Sequence, residues 1–360
     1  MGHLHCAGLL LGLVAWSAAE RQPGEHDATP VPRAAAAETV ALSFRPIRDW
    51  DLLLPAEEFT PVRDGIPAGG GDGEPFATRL EGTSLWVDRD GDGEVDVEVE
   101  AQEPDEPPRL VVFQSERGGK RGLSYAVRLL SDGTWKYAPA GALVGTFRGT
   151  RLQLIDQNNN GSFADFGEDA LIVGRGQAAS FLSRVVHVGG ELYRLKVAAD
   201  GSHLDLAPYD GPSGTLDLTS ELDSEAKVRA AVVQSTDGEL SFELSGADGG
   251  LRIPAGEYAL HSGQVVLGKA RAELRQGRFA AATVAAGERA VVEWGGPVEA
   301  EFDYERGGGR VVIAPWDIYY YGRAGEEYSN FMPLGTSPRF VVKAKDTGEV
   351  LVDAMFPGNC

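Results

Sequence analysis

Two short stretches dense in oxygen-bearing side chains, each set among residues that alternate between apolar and polar, constrain the possible folds of this chain most. The first reads Asp88-Arg89-Asp90-Gly91-Asp92-Gly93-Glu94-Val95-Asp96, and the second reads Asp156-Gln157-Asn158-Asn159-Asn160-Gly161-Ser162-Phe163-Ala164-Asp165. Leu85 and Val87 precede the first, while Val95, Val97 and Val99 follow it. Alternation with a period of two on both sides of a polar, glycine-containing turn predicts two antiparallel strands whose alternate side chains face a core. The chain is therefore expected to be all-β.

The two stretches begin 68 positions apart, at 88 and 156, and other features keep the same offset. Phe113 and Phe181, Ser115 and Ser183, Tyr125 and Tyr193, and the turn pairs Asp132-Gly133 and Asp200-Gly201 are all in this phase. Gly145-Thr146 returns as Gly214-Thr215, one position out of register. Several features in one phase point to a repeated supersecondary unit. Residues 38–210 are read as a β-rich domain holding two repeats of about 68 residues, 75–143 and 144–210, each with one acidic loop. The Asp-Gly pairs between alternating runs, with Tyr125 to Leu129 and Tyr193 to Val197 on the approach side, predict hairpin turns.

From residue 211 the rhythm changes. Ala231 to Val233, Leu240 to Leu244, Val265 to Leu274, Phe279 to Val284, Ala290 to Trp294, Val298 to Tyr304, Val311 to Ile313 and Phe340 to Val352 read as strands. Many short strands at near-regular spacing predict a β-sandwich of immunoglobulin-like kind over 211–360. Only Leu222 to Ala231 and Asp169 to Leu182 read as helices, the second weakened by Gly174 and Gly176.

The beginning of the chain reads as a leader. Leu9 to Trp16 is too short an apolar run to span a bilayer, and Ser17-Ala18-Ala19 offers small residues for cleavage before Glu20. Residues 1–19 are read as a signal peptide and 20–37, with Pro23, Pro30 and Pro32, as a flexible linker. The expected location is secreted, periplasmic or cell-envelope. Loss of Cys6 with the leader would leave Cys360 as the one thiol, so no intrachain disulfide is expected. The net charge of −21 argues against nucleic acid and anionic membrane as partners and in favour of cations.

The acidic stretches carry the most specific chemistry. Asp88, Asp90 and Asp92 place carboxylates at positions one, three and five, and Gly93 supplies a sharp turn at six. The carbonyl of Glu94 can serve at seven, and Asp96 falls at nine. Hard divalent cations take oxygen ligands in such spacing. The loop resembles the calcium loops of EF-hand, dockerin and thrombospondin type 3 proteins over about nine residues, and this resemblance implies that these positions are ligands. It departs from the EF-hand at position twelve, which is Val99 in place of a bidentate Glu, and in its flanking strands. The second loop offers Asp156, Asn158 and Asn160 at the same three positions, Gly161 at six and Ser162 at seven, with Asp165 or Glu168 to close it. With fewer carboxylates it is expected to bind calcium more weakly than the first.

Other constellations are weaker. His26, His187, His203 and His261 lack metal-ligand spacing, and no Gly-x-Ser-x-Gly motif is present. Asp346-Thr347-Gly348 reads as a hairpin turn. Trp316, Tyr319, Tyr320, Tyr321, Glu326, Glu327 and Tyr328 form the densest aromatic and acidic patch. It is the one place to expect a carbohydrate-active or peptide hydrolase site, although adjacent Glu326 and Glu327 on a strand face opposite ways. The primary expectation is a non-enzymatic structural, adhesion or binding module with calcium as a structural ion and an extracellular protein or glycan as partner.

Overall fold

Alternating apolar residues bounded by Gly and Asp turns give strands throughout, and no described residue is helical. The structure is a computed structural model describing residues 36–67, 74–103, 105–114, 124–308, 310–312, 317–331 and 339–355. The leader, most of the linker, Gly69 to Gly73, Ser115, Trp316 and Cys360 lie outside the described residues. No helix among the described residues is long and apolar enough to cross a membrane.

The first half is built from four antiparallel sheets. Thr78–Glu81, Ser84–Val87 and Val97–Val99 form a meander whose last connection is the first acidic loop. The strands Arg109–Gln114, Ser124–Ser131 and Trp135–Pro139 follow as a second meander, with upstream Thr60–Pro61 pairing on its last strand. Gly141–Phe147, Thr150–Ile155 and Ala170–Val173 then form a third, whose last connection is the second acidic loop. Val185–Val188, Glu191–Val197 and His203–Pro208 form a fourth, again with an upstream strand, Glu38–Ala41, on its last member. Their inward residues form one apolar cluster that includes Phe113, Tyr125, Leu129, Leu152, Leu154, Phe163 and Leu204.

One close approach in this cluster requires a glycine. A Cβ on Gly141 would lie 2.1 Å from the Phe44 ring. Phe44 packs over this glycine and reaches Tyr125 and Phe163, with ring centroids 6.4 Å away in both cases. Phe163 thereby ties the second acidic loop into the core.

The second half contains a large sheet ordered Ser241–Glu243, Lys227–Ser235, Gly256–Leu267, Ala270–Arg275, Glu327–Ser329, Ile318–Tyr321 and Glu299–Phe302. A smaller one runs Leu251–Pro254, Ser213–Asp217, Arg289–Val291, and its last pair is parallel. Leu216, Ala231, Val233, Ile253, Leu260, Leu274 and Trp294 form the second apolar cluster, drawn from both sheets. The buried Asp217 carboxylate accepts the Thr219 and Ser220 N–H groups at 2.8 and 3.0 Å and pairs with Arg289 across the parallel ladder.

Three expectations need correction. The segment Asp169 to Leu182 is not a helix: Ala170–Val173 and Ser180–Phe181 are paired strands, and Gly174, at φ +85°, breaks any helical run between them. Leu222 to Ala231 is not a helix either, because Leu222–Asp223 lies parallel to Trp294–Gly295 and Lys227–Ser235 is a long strand of the large sheet. Both faces of that strand are covered around Ala230–Val233, so its alternation is hidden in an unbroken apolar run. Val265 to Leu274 is two strands. Gly268, at φ +61°, turns the chain so that Leu267 pairs with Ala270.

Trp294 is among the largest fully buried side chains, and its Nε1–H donates to the Leu218 carbonyl at 2.6 Å. Trp294→Ala is expected to lower stability by about 3–5 kcal/mol through lost packing, as measured by urea denaturation followed by circular dichroism.

Candidate metal centre

Each acidic loop begins where a strand leaves the core, so its first carboxylate is buried while the next two point outward. In the first loop Asp88 Oδ1 accepts the Gly91 N–H at 2.6 Å and Oδ2 accepts the Gly93 N–H at 2.9 Å. Asp90 Oδ1 accepts the Asp92 N–H at 3.2 Å, and Asp92 Oδ1 accepts the Glu94 N–H at 2.8 Å. Asp96 Oδ1 closes the turn by accepting the Arg89 N–H at 3.0 Å. The backbone is left-handed at Gly91 and Gly93, the fourth and sixth positions. This curl brings one carboxylate oxygen each from Asp88, Asp90 and Asp92 within 4.8 Å of one another. Three acids so gathered repel one another, and a divalent cation among them would remove that repulsion.

The second loop adopts the same curl with different side chains. Asn159 and Gly161, again fourth and sixth, have φ of +61° and +84°. Asp156 Oδ1 accepts the Asn160 N–H at 3.1 Å, and Oδ2 accepts the Gly161 N–H at 2.7 Å. Asn158 Oδ1 accepts the Asn160 N–H at 3.3 Å, Asn160 Oδ1 the Ser162 N–H at 2.7 Å, and Ser162 Oγ the Ala164 N–H at 3.2 Å. Asp165 and Glu168 reach the loop through the amides: Asn160 Nδ2–H donates to Asp165 Oδ2 at 2.8 Å and Asn158 Nδ2–H to Glu168 Oε2 at 2.9 Å.

Burial distinguishes the two loops. The Tyr125 hydroxyl donates to Asp156 Oδ2 at 2.6 Å, and the Tyr137 hydroxyl donates to the Asn159 carbonyl at 3.2 Å, so the second loop is roofed by aromatic residues of the preceding sheet. Burial raises Asp156 to about 6 against these donors. It raises Tyr137 to about 12, helped by the Asp156 charge.

Asp169 escaped sequence reading. It is fully buried, its Oδ2 accepts the Asp165 N–H at 2.9 Å, and its Oδ1 has no hydrogen-bond partner among the described residues. Burial and then repulsion from Asp156 push it up to about 9. Asp169 stands at the fourteenth position, beyond the reach of a nine-residue loop pattern, and the only signal for it was an acid directly before the apolar Ala170-Leu171-Ile172 run.

The aromatic and acidic patch is organised differently. Glu326 is fully buried: Oε1 accepts the Gly295 N–H at 2.8 Å and the Tyr328 hydroxyl at 3.1 Å, and Oε2 accepts the Ala324 N–H at 3.0 Å. Tyr320 and Tyr328 pack on Phe331, while Arg278 covers the Tyr321 ring. These contacts make Glu326 an internal brace and do not pair it with Glu327. Comparison with protein-family models, curated proteins and solved structures found no match for the chain.

The raised acid gives a signed pH dependence. Above pH 7.5, beyond the titration of His187 and His261, both lowered by burial, the folded state still holds the Asp169 proton that the unfolded chain has released. Stability in chelator is therefore expected to fall as pH rises from 7.5 to 9, as read from urea midpoints.

Proposed function

We propose that this protein is an exported calcium-binding β-protein that works as a structural, adhesive or binding module, with calcium as a rigidifying ion. The observation that carries the reading is the convergence of Asp88, Asp90 and Asp92 on a loop left-handed at its fourth and sixth positions. The same curl and the same ladder of side-chain-to-backbone bonds at Asp156, Asn158, Asn160 and Ser162 support a second site. By position in the ligand pattern, the carbonyl of Glu94 and the carboxylates of Asp96 and Asp165 are the further oxygens offered to the two loops.

The duplication is part of this reading. Strands Ser124–Ser131 and Trp135–Pro139 correspond to Glu191–Val197 and His203–Pro208, and Trp135 and His203 keep the spacing of Asp88 and Asp156. Both four-stranded sheets receive an upstream strand on the same member, which supports two copies of one unit. A charge of −21 favours cations at both loops. The two-sheet region after residue 211 is the part assigned to contact an extracellular protein or glycan.

Extracellular modules of this type bind calcium at about 10⁻⁴ to 10⁻³ M, which suits structure and not signalling. Calcium at about 100 times Kd stabilises by ~2.7 kcal/mol per site, so the melting temperature is expected to rise by roughly 5 °C or more between chelator and saturating calcium. Asp90→Ala with Asp92→Ala should remove the first loop's share of that rise. A melting curve indifferent to calcium in the unmodified protein would overturn the reading.

A further inference from the structure

In the second loop the odd and even positions face opposite ways. Asp156, Asn158 and Asn160 turn their oxygens into the loop, whereas Gln157 and Asn159 reach out to a separate part of the chain. Gln157 Oε1 accepts the Ala56 N–H at 3.2 Å. Asn159 Nδ2–H donates to the Glu58 carbonyl at 3.0 Å and to Thr60 Oγ1 at 3.1 Å. Residues 53–60 thus form a strap fastened along the even side of the loop. The other end of the strap is held by Leu53, whose N–H donates to the Gln177 carbonyl and whose carbonyl accepts the Ala179 N–H, both at 2.9 Å.

Beneath the strap lies a cleft of about 510 Å³, with Leu53–Glu58 as one wall and Ala230, Val232, His261 and Gln264 of the large sheet opposite. His261 stacks edge-on to Phe181 at 4.8 Å, and its Nδ1 is buried without a hydrogen-bond partner among the described residues. Glu57 is occupied by its ion pair with Arg128, itself stacked 4.0 Å over the Trp50 ring. The wall nearest the loop is therefore pinned at its polar backbone groups by Gln157 and Asn159.

Within the loop, Asp165 and Glu168 hold the amide groups of Asn160 and Asn158, which fixes the carbonyl end of each amide toward the curl. They act as positioning residues. Asp169 has the free oxygen: it is fully buried, its Oδ2 is held to the loop by the Asp165 N–H at 2.9 Å, and its Oδ1 lacks a partner among the described residues. A buried carboxylate at Asp156 and, beside its loop, a buried acid with an unused oxygen offer ligands that a hard divalent cation can take up, with release of the Asp169 proton.

We propose that Asp169 closes the cation shell of the second loop and that binding there fixes the 53–60 strap, so that the ion sets the shape of the cleft beneath it. The proposal rests on the calcium reading above. It reverses the expected ranking of the loops, because an inward acid and the aromatic roof make the second ion an internal one, while the first remains at the surface.

The test uses the full chain, calcium as the probe, metal analysis after equilibrium dialysis, and hydrogen exchange of peptides covering residues 53–60. The unmodified protein is expected to bind two ions, with calcium slowing exchange over the strap by about tenfold. Asp169→Asn is expected to bind one ion and to lose that protection. Its melting temperature in chelator is expected to rise, since a buried unsatisfied acid has become a neutral amide of the same shape, and this shows that the variant folds. Asp90→Ala with Asp92→Ala should also bind one ion yet keep the strap protected. Two ions and full strap protection in Asp169→Asn would overturn the assignment and leave the calcium reading intact. Calcium binding in the unmodified chain without slower exchange over 53–60 would overturn the coupling. No bound ion in the unmodified chain would overturn both readings.

Discussion

The carboxylate of Asp156 is the contact around which the first half is organised. It takes two backbone N–H groups of its own loop and the hydroxyl of Tyr125, a residue on a strand of the preceding meander. A buried carboxylate is tolerated only where donors surround it. These donors come from two different structural units, so the charge joins them as well as shaping a turn. Phe163 adds an apolar link a few residues later, packing edge-on to Tyr125 at 6.2 Å.

That setting gives a physical reason for the unequal composition of the two loops. The first has carboxylates at positions one, three and five, and two of them, Asp90 and Asp92, are exposed, where water screens their repulsion. In the second, Asn158 is half-buried and Asn160 exposed, and their amides hydrogen-bond to the carboxylates of Glu168 and Asp165, so an acid at either position would face a like charge. Amide oxygens remain ligands without adding charge. A ranking of the loops by carboxylate count ignores this difference, because burial raises the strength of each remaining charge as well as its cost.

Much of the architecture was legible in period-two alternation and in the Asp-Gly turns. The strands flanking the first loop pair as Val87 with Val97, and the Asp132-Gly133 and Asp200-Gly201 turns join the antiparallel pairs expected. Alternation failed where sheets are covered on both faces, since Ala230-Ala231-Val232-Val233 is buried throughout and carries no periodic signal. The two mistaken helices share that cause or contain a left-handed glycine, as at Gly174. The sharp turns at Gly93 and Gly161 were legible from residue type and spacing, but Asp169 was not, because the turn over 165–169 carries it past any fixed-length pattern. The strap was equally hidden: its bonds to Gln157 and Asn159 span 101 positions and involve residues that a ligand pattern treats as spacers.

The strand Glu38–Ala41 joins a sheet whose neighbouring member, His203–Pro208, is far along the chain, and the Thr39 to Asp205 hydrogen bond closes 166 positions. At synthesis rates of about 5–20 residues per second, this segment waits roughly ten to thirty seconds for its neighbour. The first of the described strands to be made thus cannot take its place until His203–Pro208 has followed it, and completion of that sheet waits on the far end of the amino-terminal half.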